Sequence, residues 1–418
     1  SDLLTLKSFN FFCWVFIYGL LFDLFLWVLC FIFLGYDAFS IIIYDCFYFN
    51  SNFHFSRFFI FLFIIFLIVI IIFTFSVLDY FVVKEFIWFE LPLILLILIF
   101  GIFLIFFSNN IFLTYLGIEL QSLTFYILAA IKRDSNISLE ASLKYFLFGS
   151  VASGIFLFGL SIIFGFTGYV NYIDIFIYLW ALSFSNYSCW GTFIGFLLII
   201  LSLLFKFGTA PFHFWIPDVY DGVPYIITYF FSVIPKIVIT GLLVKFIIFL
   251  QLFYVSEFHD IILFILYFCI VASLAIGAFG GLYQSSIKRL FAYSAISNVG
   301  YILLGFLLGT LSGFTSSIFY LLIYNFTLIN IFVIILVFRQ RATNSIFNEI
   351  YQLCSITNNN FILAISLSFA LLSLAGVPPF SGFFGKVYIF VALIESGYNF
   401  LALYLYIMSV ISAAYYLR

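Results

Sequence analysis

LLFKFGTAPFHFWIPDVYDGVP, residues 203–224, is the stretch that decides the fold. Apolar residues run up to it and away from it, yet it holds Lys206, Gly208, Pro211, His213, Pro217 and Pro224. Proline removes a backbone donor and breaks the i→i−4 ladder, and glycine ends helices, so a helix stops and restarts here inside an apolar layer. Pro235 extends the same cluster, and Pro92 marks a helix start. The remaining two prolines, Pro378 and Pro379, stand in LAGVPPFSGFFGK, residues 374–386, which again ends on a lysine, Lys386. Interrupted helices in corresponding positions of two halves point to inverted repeats with an ion path near the midplane. A simple kink is the plainer alternative, and two kinks each with a lysine fit it less well.

The composition agrees with a membrane protein. Of 418 residues, 67% are hydrophobic and 8% charged, where a globular domain carries roughly a quarter charged. Fifteen Lys+Arg against seventeen Asp+Glu leave a net charge of -2, so there is no basic surface for nucleic acid. Cys13, Cys30, Cys46, Cys189, Cys269 and Cys354 form no C-x-x-C pair, and His54, His213 and His259 are far apart, so no metal, haem or iron–sulfur spacing exists. The 67 Phe and 29 Tyr point to AT-rich codons and an organellar gene. No cleavable signal pattern follows Ser1; either processing removed a start or the chain is part of a larger product.

A hydrocarbon core about 30 Å thick needs roughly 20 apolar residues per helix, which cuts the chain into about twelve spans. They lie near 9–34, 58–78, 91–107, 109–131, 137–165, 190–210, 225–248, 259–280, 289–309, 314–338, 360–387 and 395–416. The expected fold class is therefore an all-α polytopic membrane protein with two discontinuous helices. The stretches 35–57, with Asp37, Asp45, Asn50 and Asn52, and 168–189 read as interfacial loops or short re-entrant helices. Twelve spans place Lys7, Lys84, Lys132, Arg133, Lys288, Arg289, Arg339, Arg341 and Arg418 on one side. The other side keeps Arg57, with Lys245 near a helix end. The positive-inside rule puts the first side toward the compartment of synthesis, the matrix in a mitochondrion.

A mid-span charge costs about 2.5 to 3.5 kcal/mol on insertion scales, so a chain that keeps several uses them. Glu119 in LGIELQSL, Lys144 in SLEASLKYF, Lys206, Lys236 in SVIPKIVITG and Lys386 form such a set. For Lys144 a plain ion pair with Glu140, one turn earlier, serves as well. Lysine suits proton work in a membrane because desolvation lowers its pKa and a nearby carboxylate raises it again. A Glu119–Lys206 pair that opens and closes could load and unload a proton. His213 fits a relay or a satisfied polar residue equally. Asp23 has no partner that its segment names, and His54 and His259 read as loop residues.

These residues carry a resemblance. ELQSLTFYIL from Glu119, SLEASLKYFLFGSVASGIFLFG, FKFGTAPFHFWIPDVYDGVP, KRLFAYSAISNVGY and LAGVPPFSGFFGK, in this order, resemble the subunit 2 family of respiratory complex I, the mitochondrial NADH:ubiquinone oxidoreductase, over about 91–390. PDVYDG followed by Lys236, AYSAISNVGY and a lysine at 386 favour it over the other antiporter-like subunits. The resemblance implies a proton-translocating subunit with no cofactor of its own, NADH, FMN, iron–sulfur clusters and ubiquinone residing in partner subunits. It implies that Glu119 pairs with Lys206, that Lys236 is the central relay, that Lys386 lies on the outlet-side half-channel, and that Lys144 beside Glu140 fills a further lysine position. The expected organisation is 1–90 as divergent N-terminal helices, 91–248 as the first antiporter-like repeat and 249–418 as the second. The partners implied are other membrane-arm subunits, including the neighbouring antiporter-like subunit, and membrane lipids. The location implied is the mitochondrial inner membrane, multi-pass and organelle-encoded. Members of the family have about fourteen helices, so the first and last are expected to be lost or separately encoded, and Pro235 directly before Lys236 is unusual.

Two other functions compete. A cation/proton antiporter subunit shares the broken-helix lysines, but the Phe-rich usage favours an organelle over a bacterium. A non-pumping scaffold of the same fold has no reason to bear the insertion cost of Glu119, Lys206, Lys236 and Lys386. A stand-alone enzyme lacks a nucleophile–base constellation.

Overall fold

A computed structural model describes residues 46–48, 53–84, 90–132, 135–181, 187–251, 257–337, 348–355 and 361–418. The span expected near 9–34, with Lys7 and Asp23, lies outside the described residues, as do Arg133, Arg339 and Arg341.

The other expected spans are helices. In chain order they are α1 Arg57–Lys84, α2 Leu91–Phe107, α3 Ile111–Ala129, α4 Asn136–Thr167, the short α5 Tyr172–Ala181, α6 Tyr187–Phe207 and α7 Trp215–Gly222. There follow α8 Tyr225–Gln251, α9 Glu257–Leu282, α10 Ile287–Leu307, α11 Leu311–Val337, α12 Phe361–Ala375, α13 Ser381–Glu395 and α14 Asn399–Leu417. Among the described residues nine of these are long and apolar enough to cross a membrane, and α2 and α12 are shorter apolar helices. The stretch expected to be loop or re-entrant helix before Arg57 contains an antiparallel pair, β1 Cys46–Tyr48 and β2 Phe53–Phe55. Phe55 stacks on Phe107 at 4.6 Å, which seats the pair on α2.

The bundle has an inside and an outside. Buried residues make up 94% of the spans of α8 and α10 and 83% of α11, against 39% for α4 and α14, so three helices form the centre. Helices in lipid gain from close van der Waals packing, which small residues allow. A Cβ at Gly195 on α6 would stand 2.7 Å from the Gly159 carbonyl oxygen on α4, so these two helices touch backbone to backbone.

Hydrogen bonds sort the loops to two ends. Arg418 Nη1 donates to the Leu282 carbonyl (3.2 Å), Lys288 Nζ to the Asp221 carbonyl (3.1 Å), and the Ile287 amide to the Asn348 carbonyl (3.0 Å). At the other end Phe53 bridges to Ser108, Asn110 bridges to Asn171, and Lys245 Nζ donates to the Ser108 carbonyl (3.2 Å). Lys288, Arg289 and Arg418 thus share the basic end, and Arg57 and Lys245 lie toward the opposite end, as the charge sorting predicts.

Both expected breaks are present, and they are built alike. Gly208 follows α6 at φ 76° and Gly376 follows α12 at φ 82°, the left-handed conformation that glycine adopts without a Cβ clash. After each, the next amide reaches back to the same place in the last turn: Thr209 N to the Leu204 carbonyl and Val377 N to the Leu372 carbonyl, both at 3.2 Å. This is a Schellman ending, and each chain resumes as a new half-helix, α7 or α13.

Two boundaries differ from the sequence reading. The second broken helix runs past 387 to Glu395, because no glycine or proline interrupts Val387–Glu395. Pro235, grouped with the interrupting prolines, sits inside a continuous α8. Proline cannot supply the amide that would bond the Phe231 carbonyl, and the Tyr220 hydroxyl donates to that carbonyl instead, at 3.2 Å.

Candidate functional site

The site starts from helix ends. The last carbonyls of a helix have no intrahelical donor and carry the negative end of its dipole, so an ammonium is well placed there. Lys236, on central α8 and 2% exposed, donates to the Phe207 carbonyl at the end of α6 (3.3 Å) and stands 5.7 Å from the Phe207 ring centre. Lys386, 7% exposed, donates across its own break to the Leu374 and Ala375 carbonyls of α12 (3.1 and 2.9 Å), with its ammonium 5.4 Å from the Tyr301 ring centre. Both breaks are therefore closed by a lysine. For the first break it is Lys236, although Lys206 is the nearer lysine in sequence.

Lys206 does something else. Its Nζ is buried and has no hydrogen-bond partner. It lines a cavity of about 40 Å³ together with Gln121, Ser122, Tyr126, Tyr145 and Trp215. A water needs roughly 10–15 Å³ of such space and polar partners, so this cavity suits water. Glu119 Oε1 is buried and unpartnered, and its Oε2 accepts a long hydrogen bond from Ser122 Oγ (3.4 Å). The expected Glu119–Lys206 ion pair is thus not closed in this structure. The two groups feel each other electrostatically, with Ser122 touching Glu119 on one side and the cavity on the other.

Lys144 and His213 stand apart from this interior. Lys144 pairs with Glu140 (2.8 Å) and also with Asp218 of α7 (2.9 Å), and all three side chains are between 38% and 66% exposed. His213 lies half-buried in the first break, its Nδ1 unpartnered and its ring 4.6 Å from that of Phe214, and it bonds to neither Lys206 nor Lys236. Among the described residues no three of His, Cys, Asp and Glu stand close enough to hold a metal ion.

The sequence reading missed two features. Lys245 is a further lysine, partly buried, donating to the Ile105 and Ser108 carbonyls at the end of α2 (2.8 and 3.2 Å) and standing 4.7 Å from the Phe59 ring centre. Ser294, Ser297, Asn298 and Tyr301 form a buried polar stripe on α10 at helical spacing. That spacing lies in plain view in KRLFAYSAISNVGY and was the signal available.

Residues 108–412 match the family described as NADH:quinone oxidoreductase/Mrp antiporter, transmembrane. The chain is 40% identical over 348 residues to NADH-ubiquinone oxidoreductase chain 2 of Marchantia polymorpha, covering 82% of this chain and 68% of that one. It is 40% identical over 337 residues to NADH-quinone oxidoreductase subunit N of Bartonella bacilliformis, covering 80% and 68%. A chain of respiratory complex I from Thermus thermophilus superposes with a TM-score of 0.63 at 28% identity, over 79% of this chain and 69% of that one.

Proposed function

The chain belongs to the transmembrane family shared by NADH:quinone oxidoreductases and Mrp antiporters, and from that premise we propose that it translocates protons as the subunit 2 or N component of such an oxidoreductase. It is a multi-pass membrane protein. Quinone reduction belongs to partner subunits, which hold NADH, FMN, iron–sulfur clusters and the quinone; this chain supplies the proton path. The observation that carries the reading is the pair of helix breaks, each closed by a lysine buried in the protein interior. A buried ammonium held only by carbonyls is costly in a membrane and is retained where a proton must come and go.

In this path Glu119 and Lys206 exchange a proton through the water-sized cavity between their helices, Lys236 passes it along the centre, and Lys386 serves the second break. His213 would act at the mouth of the first break. Lys144, paired at the surface with Glu140 and Asp218, fills the further lysine position of the path. The matching Schellman endings support two repeats, 91–248 and 249–418. The Phe-rich usage and the relative from Marchantia polymorpha support an organelle-encoded protein of the mitochondrial inner membrane.

The test is proton translocation by the assembled complex in sealed vesicles, with NADH as reductant and Lys206→Ala or Lys236→Ala in this chain. Loss of proton uptake while NADH oxidation persists with an artificial acceptor supports the reading. Full proton uptake in both variants refutes it. Cation-dependent flux without NADH oxidation would transfer the chain to the antiporter branch of its family.

A further inference from the structure

The half-helix α7, Trp215–Gly222, has 8 residues, which at the usual rise of 1.5 Å per residue make a rod about 12 Å long. Three contacts tie this rod to the surroundings of Lys236. At its start Trp215 Nε1 donates to the Phe205 carbonyl (3.2 Å), one turn of chain from the Phe207 carbonyl that Lys236 holds. Ile216 fills the space beside Gly208, where a Cβ would collide with it. Further along, the Tyr220 hydroxyl donates to the Phe231 carbonyl of α8 (3.2 Å), in the turn that leads to Pro235 and Lys236. The rod therefore touches both partners of the Lys236 bond: the helix end that supplies the carbonyl and the helix that supplies the ammonium.

The far end of the rod is held from the other half of the chain. The last carbonyls of a helix lack intrahelical donors and carry the negative end of its dipole, so a cation is well placed there. Lys288, in the first turn of α10, donates from Nζ to the Asp221 and Val223 carbonyls, and its ammonium lies 4.6 Å from the ring centre of Tyr225, where α8 begins. Beside it Arg289 Nε donates to Asp221 Oδ2 (2.9 Å). One turn earlier on α7, Asp218 pairs with Lys144 of α4. The two carboxylates of α7 thus reach cations from different halves of the chain, Lys144 from the first and Arg289 from the second. Arg289 and Asp221 are 47% and 37% exposed, so their pair is open to screening by salt, whereas Lys288 is half-buried and bound to backbone.

We propose that Lys288 and Arg289 are positioning residues for Lys236, acting through α7 as a rod. They fix its C-terminal end, and α7 carries that position to the end of α6 and to α8 beside Pro235. With the clamp closed, the Lys236 ammonium meets the Phe207 carbonyl. When α10 shifts or the clamp opens, the rod moves and that carbonyl turns from the ammonium. A movement of α10 is then felt at the first break as a mechanical change, with no proton passing through the clamp. By reciprocity, a change at Lys236 presses back on α10 through the same rod. The inference rests on the proton-translocating reading above.

The experiment uses the assembled complex in sealed vesicles, reading protons translocated per NADH oxidised, NADH oxidation with an artificial acceptor, and complex content on a native gel. Lys288→Met removes the ammonium and keeps the bulk of the stem. It is expected to lower the proton yield of the assembled complex about fivefold, the low end of coupling between two sites. Lys288→Arg again offers donors to the Asp221 and Val223 carbonyls and should restore most of the yield, a rescue that space-filling alone does not predict. Arg289→Ala leaves Lys288 in place; its smaller loss should disappear at high salt, where screening weakens the same pair in the parent. Arg418→Ala, which frees the Leu282 carbonyl of α9 at the same end, should keep the parent yield. If Lys288→Met does not assemble, Arg289→Ala and its salt response decide. Lys236→Ala separates the two claims. If it stops translocation while the Lys288 and Arg289 variants keep the parent yield in whatever complex forms, the clamp is only structural and the proton-translocating reading stands. If Lys236→Ala itself translocates normally, that reading loses its central lysine and the positioning role falls with it.

Discussion

Gly376→Ala tests whether Lys386 works from the position that the second break gives it. The residue has φ 82°, and forcing a non-glycine side chain into the left-handed region costs about 1–2 kcal/mol. Gly397 has nearly the same φ, 84°, and open space where its Cβ would go. Gly397→Ala therefore bears the backbone cost alone. At Gly376 the added Cβ would stand 3.0 Å from Lys386 Cδ and 3.1 Å from Nζ, so the lysine has to move. That ammonium is bound at 2.9 and 3.1 Å to two carbonyls, and losing one charge-assisted bond costs about 1.5–3 kcal/mol, or about 10- to 150-fold in the population of the capped state. Both variants should assemble to similar, slightly reduced levels on a native gel. Only Gly376→Ala should translocate fewer protons per NADH oxidised in sealed vesicles. Equal translocation by the two variants would refute the claim that the Lys386 geometry matters.

Lys236→Met is expected to abolish proton translocation while leaving complex on the gel, since methionine fills the space but cannot hold the Phe207 carbonyl; near-parent proton uptake would count against it. Lys245→Met should do the reverse. It strands the Ile105 and Ser108 carbonyls at about 1–3 kcal/mol for each unsatisfied group, so complex content falls while the proton yield of each assembled complex stays at the parent value. Glu119→Gln and Lys206→Met are expected each to slow translocation, and the double variant to be little worse than the slower single, because Lys206 lines the cavity and Glu119 meets it through Ser122; additive losses would argue for separate paths. Gly195→Leu drives a side chain into the Gly159 carbonyl and should lower assembly, read as complex content in the membrane.

What the sequence made legible follows from what it marks. Proline, glycine and charge are rare in an apolar chain, so the two breaks and the lysines near them stand out, and alternation of spans sorts the basic loops to one end. Which group each lysine holds is a different matter. Lys236 and Lys386 bind backbone carbonyls, and a carbonyl looks the same at every residue, so nothing in the letters ties Lys236 to Phe207. Pro235 misled for a related reason: the hydroxyl that relieves it, Tyr220, belongs to another helix. The sequence suggests Glu119 and Lys206 as an ion pair, and the structure leaves it open, because closure depends on side-chain reach and on the cavity beside Lys206. The α10 stripe is the one feature whose periodicity could have been read and was not.

The breaks and the lysines explain each other once the helix end is treated as a partner rather than a defect. An ammonium at a helix C-terminus is worth about 0.3–1 kcal/mol at exposed sites and up to ~2 kcal/mol where partly buried, and a neutral amine forfeits most of that. Protonating Lys386 therefore favours the geometry in which Leu374 and Ala375 face it. By linkage, any movement that turns those carbonyls away must weaken the hold on the proton by the same free energy. In the proposed path, a displacement of α12 or α13 releases a proton without touching the lysine, and a proton that arrives resists that displacement. Coupling in that proposed path works through a helix that ends inside the bundle, which the glycine at 376 and the prolines at 378 and 379 supply.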